Sequence, residues 1–264
     1  MRKPVVLITG ANGEIGHALV GNLAEQRNQA VVSLDVNALD HGMGRLVQRE
    51  FTGSILDTNL LERILAEFEV DLIFHLAALL SSRAEFTPMA AHHVNVEGTL
   101  NLLEFAARQA ESHGRPVVFV YPSSIAAYGL PDVETRRKAG RLREDDWNKP
   151  ITMYGCNKLY CEHLGRYFTH HHRQLGALAS VARLDFRSIR FPGLISADTV
   201  PTGGTSDFGP EMLHAAARGE PYACFVGPGA KILGVFSARD AMPREIGNAM
   251  GMAEFNEQVN DALG

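Results

Sequence analysis

The stretch that decides the fold is "PVVLITGANGEIG", residues 4–16. A short apolar run ends at a turn with glycines at Gly10, Gly13 and Gly16, and a helix-like segment follows. Glycines in such a turn let the backbone approach a pyrophosphate, and the N-terminus of the next helix favours an anion. The spacing is GxxGxxG rather than GxGxxG, so the order of strand, turn and helix is stronger evidence than the glycines alone. The stretch predicts a dinucleotide site.

The rest of the chain repeats this alternation of short apolar runs and longer amphipathic segments. We predict strands over residues 4–8, 30–35, 45–51, 71–77, 116–122 and 186–191, and helices over 14–27, 58–68, 88–111 and 152–172. Such alternation is typical of an α/β protein with a Rossmann-type doubly wound parallel sheet, which binds ligands at the carboxyl ends of its strands. The charged segment 130–150 begins and ends near prolines, and we predict an exposed loop there.

Length and charge narrow the class of protein. The 264 residues suffice for one large domain or a domain with a small lobe. A formal net charge of −5 argues against nucleic-acid binding, because phosphate contacts need clustered Lys and Arg. The first apolar run is too short for a signal peptide, and no stretch approaches the ~18 apolar residues of a membrane span. Three cysteines (Cys156, Cys161 and Cys224) without metal-like spacing are expected to be reduced thiols in a cytoplasmic protein.

Two acidic residues follow predicted strands. Asp35 ends the second strand, where a carboxylate can bind both ribose hydroxyls and repel a 2′-phosphate, which favours NAD over NADP. The alternative is a turn-forming Asp at a strand end. Asp57 precedes the third helix-forming region and can either cap that helix or reach the adenine.

A tyrosine and a lysine form the candidate catalytic pair. Tyr154 and Lys158, in "YGCNK", are four residues apart and therefore share one helix face. A free phenol has a pKa of about 10, so lowering it by ~3 units for general-base work needs roughly 4 kcal/mol from nearby positive charge. Ser123 and Ser124 end the preceding strand and can donate a hydrogen bond to a substrate oxygen. A YxxxK pair alone is common by chance, but its place after the fifth strand favours catalysis.

Taken in order, these motifs resemble the extended short-chain dehydrogenase/reductases, the NAD-dependent epimerase/dehydratase family. The resemblance covers about residues 4–230 and includes "HLAA" (75–78) and "VNVEGT" (94–99). It implies an NAD-binding Rossmann domain over 1–190, a small, shortened C-terminal substrate lobe over 191–264, and a homodimer whose faces are the helices over 88–111 and 152–172. By position, the catalytic residues would be Ser124, Tyr154 and Lys158. The residues implied for NAD are Gly10, Asn12, Gly13, Glu14, Ile15, Gly16, Asp35, Asp57, Leu76, Ala77, Ala78, Asn95, Tyr154, Lys158 and Phe191.

Two further stretches resemble one branch of that family, the short-chain L-threonine 3-dehydrogenases. They are "HLAALLS" (75–81) and "RFPGLIS" with "PTGGTSDF" (190–196 and 201–208), and the branch uses such loops to line an amino-acid pocket. The implied reaction is NAD-dependent oxidation of the threonine β-hydroxyl to 2-amino-3-oxobutyrate, with Tyr154 as base. The branch motif is closer to PGGGTTDYA, so Thr202 and Ser206 depart from it. The residues implied for substrate are Ser81, Ser123, Ser124, Tyr154, Gly193, Thr205 and Ser206.

Two other functions stay open. A nucleotide-sugar epimerase or dehydratase of the same family uses the same three catalytic residues but must also bind a diphosphate, which calls for Arg or Lys. Between Phe191 and Cys224 the one such residue is Arg218. A non-catalytic dinucleotide-binding regulator is the third candidate, although a regulator has no need of a base.

We predict no metal site. The histidines at 170–172 are consecutive on a predicted helix, so their side chains point to different faces and cannot converge on one ion. The same reasoning applies to His92 and His93.

Overall fold

A six-stranded parallel sheet forms the centre of the molecule. The computed structural model describes residues 4–26, 29–175, 184–193, 204 and 207–223. The strands are β1 (Pro4–Thr9), β2 (Ala30–Asp35), β3 (Arg49–Thr52), β4 (Glu69–His75), β5 (Val117–Ser124) and β6 (Leu184–Phe191). Their order is β3-β2-β1-β4-β5-β6, and every pairing is parallel. This is the doubly wound Rossmann order, with a switch point between β1 and β4. The predicted fold class is confirmed.

Helices form the crossovers between these strands. They are α1 (Glu14–Gln26), α2 (His41–Gly44), α3 (Thr58–Glu67), α4 (Ser81–Phe86), α5 (Pro88–His92), α6 (Gly98–His113), α7 (Val133–Ala139), α8 (Met153–His170) and α9 (Phe208–Arg218). The helix predicted over 88–111 consists of α5, a turn of π-helix over His93–Glu97, and α6. Single π-turns inside helices occur frequently at functional sites. A 3₁₀ turn, Ile125–Ala127, follows β5.

Each face of the sheet has its own hydrophobic cluster. Within β1, Val5 and Leu7 pack into one cluster, while Val6 and Ile8 pack into the other. Successive side chains of a strand point to opposite faces, so β1 is buried on both sides. A strand covered on both faces reads as a continuous apolar run, which explains the sequence before the glycine turn.

The segment 130–150 is largely exposed, as predicted, but it contains a helix. Asp132 caps α7, because its carboxylate accepts a hydrogen bond from the backbone N of Thr135 at 2.6 Å. Lys138 and Glu134 pair along the helix at 2.6 Å. The loop prediction was wrong over these 7 residues because it weighted the flanking prolines above the N-cap and the helix-forming "ETRRKA".

The predicted C-terminal lobe is only partly described. Its described portion includes α9, which ends at Gly219 in a left-handed conformation. In the described ranges, no helix is long and apolar enough to cross a bilayer. The same residues include no group of three or more His, Cys, Asp or Glu that could hold a metal ion.

Candidate active site

The glycine turn after β1 is packed directly against the chain after β4. Gly10 has φ +72°, and a Cβ there would lie 2.5 Å from the backbone N of Ala77. Its own N–H donates to the carbonyl of Leu34 on β2 at 2.8 Å. A Cβ on Gly16 would lie 2.5 Å from the carbonyl of Ala11. Both positions therefore require glycine, and the N-terminus of α1 is left facing the switch point.

Asp35 is held at this turn by backbone donors. One carboxylate oxygen accepts from the N–H of Asn12 at 2.9 Å, and the other accepts from the N–H of Asn37 at 2.9 Å. The Asn12 side-chain oxygen in turn lies 3.0 Å from Nε2 of His17. Each carboxylate oxygen keeps further lone pairs, so a fixed acceptor faces the place where the adenosine ribose binds in this fold.

Asp57 caps α3. Its carboxylate accepts from the backbone N of Leu60 at 3.1 Å. Of the two roles left open by the sequence, the structure shows the cap, and an adenine contact stays a prediction.

Asn95 holds the loop that follows β4. Its amide exchanges two hydrogen bonds with the backbone of Leu79, at 2.7 and 3.0 Å. Asn95 is 2% exposed and lies in the π-turn, and its amide also donates to Asn157 on α8 at 3.4 Å. Asn95 therefore fixes the segment after β4 at Leu79, and its predicted part in NAD binding stays a prediction.

His75 is a buried structural residue at the end of β4. Nδ1 lies 2.8 Å from the hydroxyl of Thr9, and Nε2 lies 2.9 Å from the hydroxyl of Thr99. Burial, with the nearby charge of Lys158, lowers the pKa of His75 to about 3. The ring is therefore neutral and joins β1, β4 and α6 rather than exchanging protons.

The start of α8 brings Tyr154 and Lys158 against the end of β5. Thr152 caps the helix by accepting from the N–H of Gly155 at 3.0 Å. A Cβ on Gly155 would lie 2.1 Å from the carbonyl of Ala126, so the helix contacts the 3₁₀ turn closely. Nζ of Lys158 lies 5.4 Å from the centroid of the Tyr154 ring, as the shared helix face predicted.

Burial shifts the pKa of both Tyr154 and Lys158. It raises the pKa of the Tyr154 phenol and lowers the pKa of the Lys158 ammonium to about 8. The phenol is therefore a poor base in the protein alone, and positive charge beside it is required. An oxidised nicotinamide would supply that charge, so the pair fits a site in which cofactor and catalytic groups meet.

Comparison with known proteins identifies the family. The model of the NAD dependent epimerase/dehydratase family matches residues 6–233. The chain belongs to this family. Its cofactor is NAD, in keeping with the glycine turn and Asp35.

The chain is similar to curated epimerase/dehydratases and to several solved structures of dehydrogenases and of a protein bound to a nucleotide sugar, among them the following. An uncharacterized epimerase/dehydratase of Staphylococcus aureus (strain USA300) is 34% identical over 233 residues, which are 85% of this chain and 64% of that protein. A solved partial consensus L-threonine 3-dehydrogenase is 34% identical with a TM-score of 0.70, covering 85% of this chain and 65% of that one. The GalE-like L-threonine dehydrogenase from Cupriavidus necator in holo form is 33% identical with a TM-score of 0.70, covering 85% and 66%. MoeE5 in complex with UDP-glucuronic acid and NAD is 27% identical with a TM-score of 0.63, covering 83% and 63%.

The two serines that end β5 have different partners in this family member. Ser124 is half-buried, and its oxygen accepts from the N–H of Ala126 at 3.1 Å, so the hydroxyl hydrogen can still be donated. Ser123 is 2% exposed and donates to Glu162 at 2.5 Å. Ser124 therefore keeps a hydrogen that it can donate, Ser123 has an internal partner, and a substrate contact by either serine stays a prediction.

Sequence reasoning missed a buried ion pair beside the predicted catalytic residues. Arg190 of β6 donates to both carboxylate oxygens of Glu162, at 2.8 and 2.7 Å, and the two side chains are 8% and 7% exposed. The guanidinium carbon lies 4.4 Å from the centroid of the Tyr128 ring. Glu162 follows Tyr154 and Lys158 at successive intervals of four, so the spacing YxxxKxxxE was a readable signal.

Four further predicted residues lie around this edge of the sheet. Phe191 ends β6 opposite Ser124, and Gly193 follows it. Ser81 begins α4. Burial, with the charge of Asp207, raises the pKa of Glu14 in the first turn of α1. Thr205 and Ser206, like Thr202, lie outside the described residues.

Proposed function

We propose that the protein is an NAD-dependent oxidoreductase of the short-chain type that oxidises the β-hydroxyl of L-threonine or a similar small hydroxy-amino acid. The product from threonine would be 2-amino-3-oxobutyrate. The observation that carries the proposal is the placement of Ser124, Tyr154 and Lys158 at the sheet edge that also holds the glycine turn. Similarity to solved L-threonine 3-dehydrogenases supports the substrate class. The chain spans 64% of the length of its curated relatives, so we state its activity as a proposal and do not transfer it from them.

NAD would bind across the switch point of the sheet. The glycine turn and the N-terminus of α1 would face the pyrophosphate, and Asp35 would accept from the adenosine ribose. Ala77 and Ala78 lie where the segment after β4 approaches the turn. A bound oxidised nicotinamide would supply the acceptor for the hydride from the substrate carbon.

The catalytic residues would divide the work on the substrate hydroxyl. Tyr154, as phenolate, takes the hydroxyl proton while the hydride leaves the carbon, so charge and electrons balance. Lys158 stabilises the phenolate by its positive charge and would also contact the nicotinamide ribose. Ser124 donates a hydrogen bond to the substrate oxygen.

The alternative is a nucleotide-sugar epimerase or dehydratase. The family and the similarity to MoeE5 with UDP-glucuronic acid favour it. A diphosphate calls for cationic side chains. In the described part of the chain after Phe191, Arg218 is the one Lys or Arg, and it pairs with Glu220 at 3.0 Å. A dinucleotide-binding regulator would not need the Tyr154/Lys158 pair.

An assay of cofactor reduction tests these alternatives. NADH absorbance is followed with L-threonine, related hydroxy-amino acids and UDP-sugars, and products are identified by mass spectrometry. We expect NADH with threonine and a product lighter by two hydrogens. Conversion of a UDP-sugar with no change in threonine would overturn the proposal, and binding of NAD with no turnover of any substrate would favour the regulator.

Cofactor preference has its own test at Asp35. Replacing Asp35 with Asn removes the charge that repels a 2′-phosphate but keeps an acceptor oxygen. We expect NAD affinity to fall and the NAD-over-NADP preference to narrow by about tenfold or more, measured by calorimetry with both dinucleotides. An unchanged preference would contradict the role proposed for Asp35.

We further propose a cytoplasmic homodimer with a Rossmann domain over 1–190 and a substrate lobe over 191–264. On α8, Tyr160 and Tyr167 are 52% and 43% exposed and lie two turns apart, and Leu100 of α6 is 41% exposed. Apolar side chains on these two helices support a contact between copies. Sedimentation velocity tests it, and a monomer at all concentrations would contradict it.

A further inference from the structure

The ammonium of Lys158 lies within 6 Å of the centres of two aromatic rings. Nζ is 4.6 Å from the centroid of the Tyr121 ring and 5.4 Å from that of Tyr154, and it donates to the carbonyl of Pro122 at 2.6 Å. The residue is 3% exposed. An ammonium without water needs other groups to stabilise its charge, because burial disfavours the charged form.

Tyr121 is fixed in place by its own neighbours. It is 1% exposed, and its ring stacks on Phe186 with centroids 5.8 Å apart and planes at 28°. The ring of His75 lies 6.0 Å away on another side. Because the ring is packed on these sides, it keeps its orientation toward Lys158.

We propose that Tyr121 is a positioning residue, whose ring face holds the Lys158 ammonium charged and beside Tyr154. The negative face of an aromatic ring attracts a cation within about 6 Å, and the attraction is stronger where water is excluded. The inference rests on the proposed function, because it gives Tyr121 a role only through the lysine. Tyr121 touches neither substrate nor cofactor in this proposal.

The other ionisable groups around Lys158 are the same in Tyr121→Phe and in Tyr121→Leu, the two variants that test this proposal. The titratable groups that act on the ammonium or lie beside it are His75 on β4, Tyr121 on β5, and Tyr154, Cys161 and Glu162 on α8. His75 is neutral, and the charge of Glu162 is shared with Arg190. The Tyr121 hydroxyl interacts with Cys161, and Tyr121→Phe and Tyr121→Leu both lack it, so the comparison of these two variants isolates the π face of the ring.

The test measures the charge of Lys158 directly in the protein alone. The chain has five lysines (Lys3, Lys138, Lys149, Lys158 and Lys231), so ¹³Cε-lysine NMR gives few signals, and a Lys158→Arg variant assigns the relevant one. We expect Tyr121→Phe, which keeps the ring, to leave the Lys158 pKa nearly unchanged. We expect Tyr121→Leu to lower that pKa by about one unit.

Phe119→Leu is the matched control for lost packing. Phe119 lies on the same strand, is fully buried, and stacks on Phe186 at the same 5.8 Å. In the described structure, the rings near the Lys158 ammonium are those of Tyr121 and Tyr154. We therefore expect no change in the Lys158 pKa in Phe119→Leu. Equal pKa values in Tyr121→Phe and Tyr121→Leu, or an equal fall in Phe119→Leu, would overturn the proposal.

A second series keeps the test decisive if Tyr121→Leu does not fold. Phenylalanines with increasing numbers of fluorines at position 121 weaken the negative ring face with little change in size. A stepwise fall of the Lys158 pKa along the series supports the proposal, and a flat series overturns it. Turnover is measured separately, so an inactive protein with the expected titration would refute the proposed function and leave this inference standing.

Discussion

The glycine turn and the catalytic corner lie at the same edge of the sheet but are held by different interactions. We use "catalytic corner" for Ser124, Tyr154, Lys158, Glu162 and Arg190. The glycine turn is set by backbone geometry: a positive φ at Gly10, its hydrogen bond to β2, and backbone donors to Asp35. The catalytic corner is set by buried charges and their partners. A change in the corner therefore alters charge, whereas a change in the turn alters shape.

The largest effect is expected from Tyr154→Phe in the catalytic corner. Removing the hydroxyl removes the proposed base, and general-base contributions are typically about 10²–10⁴-fold in rate. We expect turnover to fall by at least that factor, while NAD affinity, measured by calorimetry, stays within about threefold because the turn is untouched. Activity that survives this change would show that the base lies elsewhere.

The next effect is on stability and comes from Glu162→Gln. Removing one charge of a buried pair leaves Arg190 uncompensated, which costs about 3–5 kcal/mol in the free energy of unfolding. The control is Arg187→Gln, which removes a charge from a more exposed pair on β6, the strand that also carries Arg190. Its pair with Asp185 is 34% and 44% exposed, and such pairs contribute about 0–1 kcal/mol. Chemical denaturation of both variants measures the difference, and equal losses would contradict the importance of burial here.

The same pair predicts a dependence of stability on pH. Burial alone would raise the pKa of Glu162, but hydrogen bonds from Arg190 and Ser123 outweigh it and hold that pKa below its usual value. A lowered carboxyl pKa in the folded state stabilises the protein above the unfolded pKa of about 4.3, and the contribution is lost as pH falls through the folded value. The free energy of unfolding should therefore fall more steeply below that pH in the natural protein than in Glu162→Gln.

Local motifs could be predicted from the sequence, whereas contacts between distant residues could not. Five of the six strands, the glycine turn and the spacing of Tyr154 and Lys158 were readable because they depend on local spacing along one strand or helix. The strand predicted over 45–51 overlaps β3 only from Arg49 onward. The Glu162–Arg190 pair was not predicted, because it depends on the register that sets Ser123 opposite Arg190 across β5 and β6. The role of Asn95 in holding Leu79 likewise depends on a contact 16 residues apart. The four-residue spacing could have placed Glu162 on the helix face of Lys158, but its partner on β6 is fixed by packing, which periodicity does not reveal.

A shape change in the glycine turn should cost less stability than breaking the buried pair. Gly10→Ala places a Cβ at φ +72° and 2.5 Å from the N of Ala77, so we expect a loss of about 2–3 kcal/mol and weakened NAD binding. Gly21→Ala in α1 is the control, because a Cβ there meets nothing within 4 Å. In a helix this change should stabilise by about 0.5–1 kcal/mol. Thermal denaturation and NAD titration measure the stability and the NAD affinity of both variants. Equal stability and equal NAD affinity in Gly10→Ala and Gly21→Ala would contradict the requirement for glycine at position 10.

The smallest effect separates the two roles of Asp57. Asp57→Ala removes the cap of α3 and should cost about 1 kcal/mol, whereas Asp57→Asn keeps a side-chain acceptor and should cost a few tenths. If the cap is the main role, NAD affinity stays unchanged in both variants. If the carboxylate also contacts the adenine, NAD affinity falls in both, even though Asp57→Ala loses much more stability than Asp57→Asn. Denaturation and calorimetry on the same two proteins therefore decide whether this residue belongs to the cofactor site or only to the helix that lies beside it.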